Sequence, residues 1–170
     1  MNMKKSLSSR SNGSRLPPEE IILRLARVPK DFESTGKASP AAFELSSGDE
    51  SSVLQLLSVY ARRLTTPNQA RVLMDEKMAE YRLALFMKTE CVRSVRPNPD
   101  SHEVPYLDAI WIVKLIEIDG EFHPDNRAGA DGHAGISGLK IPEGLPRLHY
   151  KSLRAQLVEK VEETHLMPEI

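Results

Sequence analysis

The chain has 170 residues, with 23 Lys and Arg against 24 Asp and Glu and a formal net charge of −1 at pH 7. That length suits one domain with a sizeable core, and the near-zero charge argues against the basic footprint of a nucleic-acid binder. One cysteine, Cys91, excludes an intramolecular disulfide and suits a reducing, cytoplasmic setting, and no apolar run approaches the roughly 18 residues of a membrane span.

Residues 1–16 carry Lys4, Lys5, Arg10 and Arg15 among serines, with no apolar region for a secretory signal. They read as a disordered arm ahead of a single α+β domain over residues 17–170. Pro17 and Pro18 end the arm. The run Ile21-Ile22-Leu23-Arg24-Leu25-Ala26 that follows is short and β-branched at its start, which points to a strand. Residues 29–52 are rich in turn formers around Ala41-Ala42-Phe43-Glu44-Leu45 and read as a long irregular connection. Val53 to Leu64 is apolar at positions that fit either a helix or a strand.

A clearer signal follows. Thr66 as N-cap and Pro67 at the first helical position predict a helix over 67–81, buried along Ala70, Leu73, Met74, Met78 and Tyr81. Leu83 to Val95 alternates as a strand until Pro97 and Pro99, with Cys91 as an inert buried position within it. Ala109 to Ile118 is the most hydrophobic run and reads as the central strand, with Ile110 and Ile112 facing one layer and Trp111 and Val113 the other. The segment from Asp119 to Leu139 holds more than half of the glycines and reads as a long Gly-rich loop leaving that strand. Leu153, Leu157, Val158 and Val161 mark a closing amphipathic helix over 150–164. The expected fold is therefore a small, mostly antiparallel sheet packed by two main helices.

The Gly-rich segment is where chemistry is best sought. His123, Asp125, Asp131 and His133 are ligand types, but their spacing matches neither a zinc site nor a calcium loop, so no metal is expected. Gly129 to Gly135 has the glycine spacing of nucleotide loops but lacks the following helix and the lysine, so no cofactor is expected. Arg62, Arg63, Arg71, Arg82, Arg93 and Arg96 could form an anion-binding face, though pairing with nearby carboxylates is the commoner use of such residues. His133, Asp131, His123 and Arg24 remain as candidates for contact with a ligand or partner. His133 stands out because Gly132 and Gly135 would let another molecule approach its ring.

Several segments recur together: Pro18-Glu19-Glu20-Ile21-Ile22-Leu23-Arg24, Ser39-Pro40-Ala41-Ala42-Phe43, Leu57-Ser58-Val59-Tyr60 and Asp131-Gly132-His133-Ala134-Gly135-Ile136. This order resembles a group of small bacterial proteins sharing a P-x-E-x-x-L-R … P-x-A-F … L-S-x-x … G-H-A-x-I layout. The chain departs from it at Gly129-Ala130-Asp131, where a proline-rich approach to the histidine is usual. The resemblance implies a bacterial cytosolic protein, an accessory part of a multi-gene system. With no complete catalytic constellation and few aromatics, the chain reads as a non-enzymatic binding or accessory module that acts through a protein partner encoded nearby. An alternative rests on Leu23-Arg24 and His133, whose placement is similar to that in ADP-ribosyltransferases. It implies a small toxin-like enzyme of nucleotide-linked chemistry with a sheet cleft near Arg24 and His133.

Overall fold

The computed structural model describes residues 13–31, 37–45, 56–96, 107–140 and 147–170. Its frame is a six-stranded sheet in the order β4-β7-β2-β1-β3-β8, every neighbouring pair antiparallel. The strands are β1 (Ile21–Arg27), β2 (Leu57–Ala61), β3 (Tyr81–Lys88), β4 (Asp108–Trp111), β7 (His133–Ser137) and β8 (Glu163–Leu166). A separate hairpin joins β5 (Leu115–Ile118) to β6 (Glu121–Pro124). The helices are α1 (Pro67–Val72), α2 (Thr89–Arg93) and α3 (Arg147–Lys160). None of the described helices is long and apolar enough to cross a membrane.

Strand alternation divides the core between the two sheet faces. Ile22 and Ala26 of β1, Leu57, Val59 and Ala61 of β2, and Leu83, Leu85 and Met87 of β3 join Leu153 and Leu157 of α3 in one cluster. Phe43, from the 3-10 turn Pro40–Phe43, is fully buried in the same cluster. Leu23, Leu25, Tyr60, Ala84 and Phe86 occupy the opposite face with Ala70 and Leu73 near α1. The second cover is short, and a hollow remains beside it.

The expected α+β class and mostly antiparallel sheet are present, and β1 falls where its β-branched residues place it. The expected pair of long helices is not. Thr66 caps α1 with a reciprocal capping box, its side chain accepting from Gln69 N while Gln69 Oε1 accepts from Thr66 N. The helix nevertheless stops at Val72 rather than Tyr81. Asp75 takes a left-handed φ of 54° with its carboxylate held by Arg127, and Met78 gives its carbonyl to Arg71 Nε. These tertiary bonds turn the chain through a 3-10 segment into β3, overriding an apolar period that could have continued. The closing helix begins earlier than residue 150 and ends at Lys160, because Glu162 N donates to the Phe86 carbonyl and the chain adds β8 to the sheet edge.

Two strand assignments also change. The expected strand to Val95 ends at Lys88. Thr89 N and Oγ1 both donate to the Glu20 carbonyl, and Glu90 N donates to that of Pro18, which starts α2. Cys91 thus lies on a short helix, partly exposed, rather than in a strand. The run 109–118 is not one central strand. It divides into β4, at the sheet edge, and the exposed β5, while β1 and β2 hold the centre. Trp111 is buried with Ala109 among the α3-side residues, whereas Val113, expected to share the face of Trp111, is exposed. Gly13 N donates to the Trp111 carbonyl, Trp111 N to that of Ser14, and Leu16 N to that of Ala109, so residues 13–16 line the outer edge of β4. The first twelve residues of the expected arm lie outside the described residues.

The Gly-rich segment is mostly not a loop. Residues 121–124 form β6, Ala130–Gly132 a 3-10 turn, and His133–Ser137 an interior strand. Glycine is needed there chiefly for close packing. A Cβ on Gly132 would stand 2.1 Å from Thr65 Oγ1, and Gly129 combines a φ of 85° with a Cβ position 2.8 Å from Gln69 Cβ.

Candidate cleft at the β1–β2 fork

β1 and β2 are paired only at Ile22↔Ala61 and Leu23↔Tyr60, whereas β1 follows β3 over its whole length. Beyond Leu23 a side chain replaces the ladder: Arg24 Nη1 donates to the Ser58 carbonyl at 2.9 Å, and its Nε to the Ala42 carbonyl at 2.8 Å. The guanidinium suits this fork because it donates in several directions and stays charged. Above it opens a cleft of about 310 Å³ lined by residues including Arg24, Ser58, Tyr60, Leu73, Asp75, Tyr81 and Lys114.

The register of β2 with β7 sets His133 opposite Tyr60, and Gly135 opposite Ser58. The His133 and Tyr60 rings lie 5.3 Å apart, and His133 Nε2 is 2.8 Å from Ser58 Oγ. Arg24 and His133 are therefore joined through one residue, Ser58, which offers its carbonyl to the first and its hydroxyl to the second. His133 keeps some exposure as a residue, but Nδ1 is sealed from solvent and has no partner in hydrogen-bonding geometry.

Burial pushes the His133 imidazolium down to a pKa of about 4, and the charge of Lys114 lowers it further against the Ile112 backbone and Asp125. The ring is neutral at pH 7. With its proton on Nδ1, Nε2 accepts from the Ser58 hydroxyl, the arrangement in which histidine can draw a proton from it. Burial pushes the Tyr60 phenol up to about 12, with the Ser58 side chain pulling the other way, so Tyr60 stays protonated and can donate.

Lys114 is half-buried and its pKa is lowered, first by burial and also by Arg127, with Asp125 and Asp75 opposing. Those two carboxylates are engaged elsewhere. Arg127 Nη1 lies 2.6 Å from Asp75, and Asp125 receives Arg127 Nη2 at 2.8 Å and Arg127 N at 3.0 Å. Among the described residues, no hydrogen bond or ion pair meets the Lys114 ammonium.

Of the four residues singled out in the sequence, Arg24 lines this cleft and His133 reaches it only through its bond to Ser58. Asp131 is exposed on the 3-10 turn before β7, and His123 is exposed on the hairpin, 3.6 Å from Glu121. No group of three or more His, Cys, Asp or Glu side chains able to hold a metal occurs among the described residues. The dispersed arginines are largely paired: Arg62 with Glu163, Arg63 with Glu20, Arg82 with Glu169 and Arg93 with Asp108. A larger hollow of about 590 Å³ beside Pro17, Ile21, Arg62 and Arg63 is broad and open, and its two arginines already face those carboxylates. The fork is the better site because its polar groups converge.

Sequence reading missed Ser58, Tyr60 and Lys114. Two signals were present: a serine alternating with apolar residues in Leu57-Ser58-Val59, and a lysine interrupting the most hydrophobic run. Compared with known proteins, the chain matches no family model, no curated protein and no solved structure.

Proposed function

We propose that the fork between β1 and β2 is a small-molecule site and that the protein carries out nucleotide-linked chemistry there. The observation that supports this is the meeting of Arg24 and His133 on Ser58, a residue that lines the cleft with Arg24. A hydroxyl on a neutral imidazole, a protonated phenol and a half-buried ammonium can together position a polar ligand and move one proton. ADP-ribose is the probe. Its addition to the full chain should shift the amide resonances of Ser58, Tyr60 and His133, and Arg24→Met should weaken the effect about tenfold. Shifts confined to other surfaces, or none at all, would exclude this reading.

A second reading, a non-enzymatic accessory module of a bacterial multi-protein system, is favoured by the β5–β6 hairpin. Leu115, Ile118 and Phe122 are each more than half exposed there, and Phe122 reaches 69%. Apolar side chains concentrated on one projecting hairpin suit a protein partner. The check is co-expression with the products of flanking genes: Phe122→Asp should abolish any complex formed by the parent chain. A complex that ignores the substitution would move the interface elsewhere.

A further inference from the structure

We infer that Lys114 is the recognition cation of the fork and receives an anionic group, a phosphate or a carboxylate, of the molecule bound there. The inference rests on the small-molecule reading of the cleft and adds the chemical class of one of its contacts.

The argument begins with what surrounds the ammonium. Lys114 lines the cleft with Ser58 and Tyr60, half-buried. Two carboxylates are close enough to influence it, Asp75 and Asp125, and both are drawn onto Arg127. Arg127 binds Asp125 through Nε and Nη2 together, the planar match that a lysine cannot offer. An ammonium withdrawn from water without a counter-charge lowers stability, a cost that a bound anion would offset. Glu76 and Lys77 also line the cleft, but both are exposed.

The chemistry around the ammonium fits an anion. The Tyr60 phenol can donate to its oxygens, while Lys114 supplies charge without fixed geometry. Burial also strengthens the attraction relative to water. The bound anion would offset the Lys114 charge, which adds to burial in keeping the His133 imidazole neutral.

The test uses the full chain, with inorganic pyrophosphate and citrate as separate probes at constant ionic strength. Saturable binding should perturb the Ser58 and Tyr60 amides, and Lys114→Gln should weaken it at least about tenfold. Lys88→Gln, on a lysine paired with Glu162 outside the cleft, should leave binding within about twofold of the parent. Binding of pyrophosphate alone assigns a phosphate, of citrate alone a carboxylate, and of both the shared anionic chemistry. Lys114→Gln should also melt no lower than the parent, because it removes an unpaired charge rather than a bond. Undiminished binding in Lys114→Gln, or no binding of either probe to the parent at about 20 mM, overturns the inference. If Lys114→Gln binds ADP-ribose as the parent does, the cleft reading stands without this contact. If ADP-ribose leaves Ser58 and Tyr60 unmoved, the cleft reading fails first.

Discussion

Trp111→Ala should destabilise the protein by about 3–5 kcal/mol, the usual cost of truncating a large aromatic in a packed core. Trp111 sits on β4 at the sheet edge, yet only 2% of it is exposed, and it belongs to the cluster built around Ile22, Leu57 and Leu153. An edge strand normally leaves its outer main-chain groups to solvent. Here Ser14 accepts from Trp111 N and Gly13 donates to Trp111 O, so the outer edge is occupied. Urea unfolding of parent and variant measures the difference. A loss below about 1 kcal/mol would show that the Trp111 side chain is poorly packed.

The second large effect is acid sensitivity centred on His133. In the unfolded chain histidine takes up a proton near pH 6.5, whereas in the fold it does so near pH 4. Between those values the unfolded state holds more protons, so stability falls as pH is lowered through this window and is unaffected above it. The full loss amounts to about 3 kcal/mol, at up to about 1.4 kcal/mol per pH unit. His133→Gln should abolish this part of the slope. Asp108 and Asp125, whose pKa values are lowered chiefly by Arg93 and Arg127, lose their contributions in more acidic solution. Unfolding free energies of parent and His133→Gln across pH 4–6.5 decide the matter. Parallel profiles would mean that the ring is hydrated and titrates normally.

These two residues also differ in how visible their roles were. Trp111 lies in an obviously hydrophobic run, and its burial follows from composition. The strand around it did not, because an apolar sequence does not distinguish a buried strand from an exposed hairpin. Residues 108–118 become both, leaving the sheet between Trp111 and Leu115. His133 was noticeable through the glycines beside it, but their reason was misread. Gly132 and Gly135 allow a strand to pack closely against Thr65 and Leu56 rather than a loop to bend around a ligand.

By itself the sequence determined what rests on neighbours within a few residues. The β-branched opening of β1, the Thr66 and Gln69 capping box and the apolar stripe of α3 are local, with energies fixed by propensity and side-chain spacing. Where elements end was decided by the tertiary structure. Thr89 turns because Glu20 offers a carbonyl, and Asp75 turns within reach of Arg127, both bonds spanning long stretches of chain. The cleft belongs to the same class. Arg24 and His133 could be named from the sequence, but Ser58 joins them only through the pairing of β2 with β7 and the opening of β1 from β2. Among the described residues Lys114 has no ion pair because Arg127 takes both nearby carboxylates, an outcome of three-dimensional competition that no local pattern encodes.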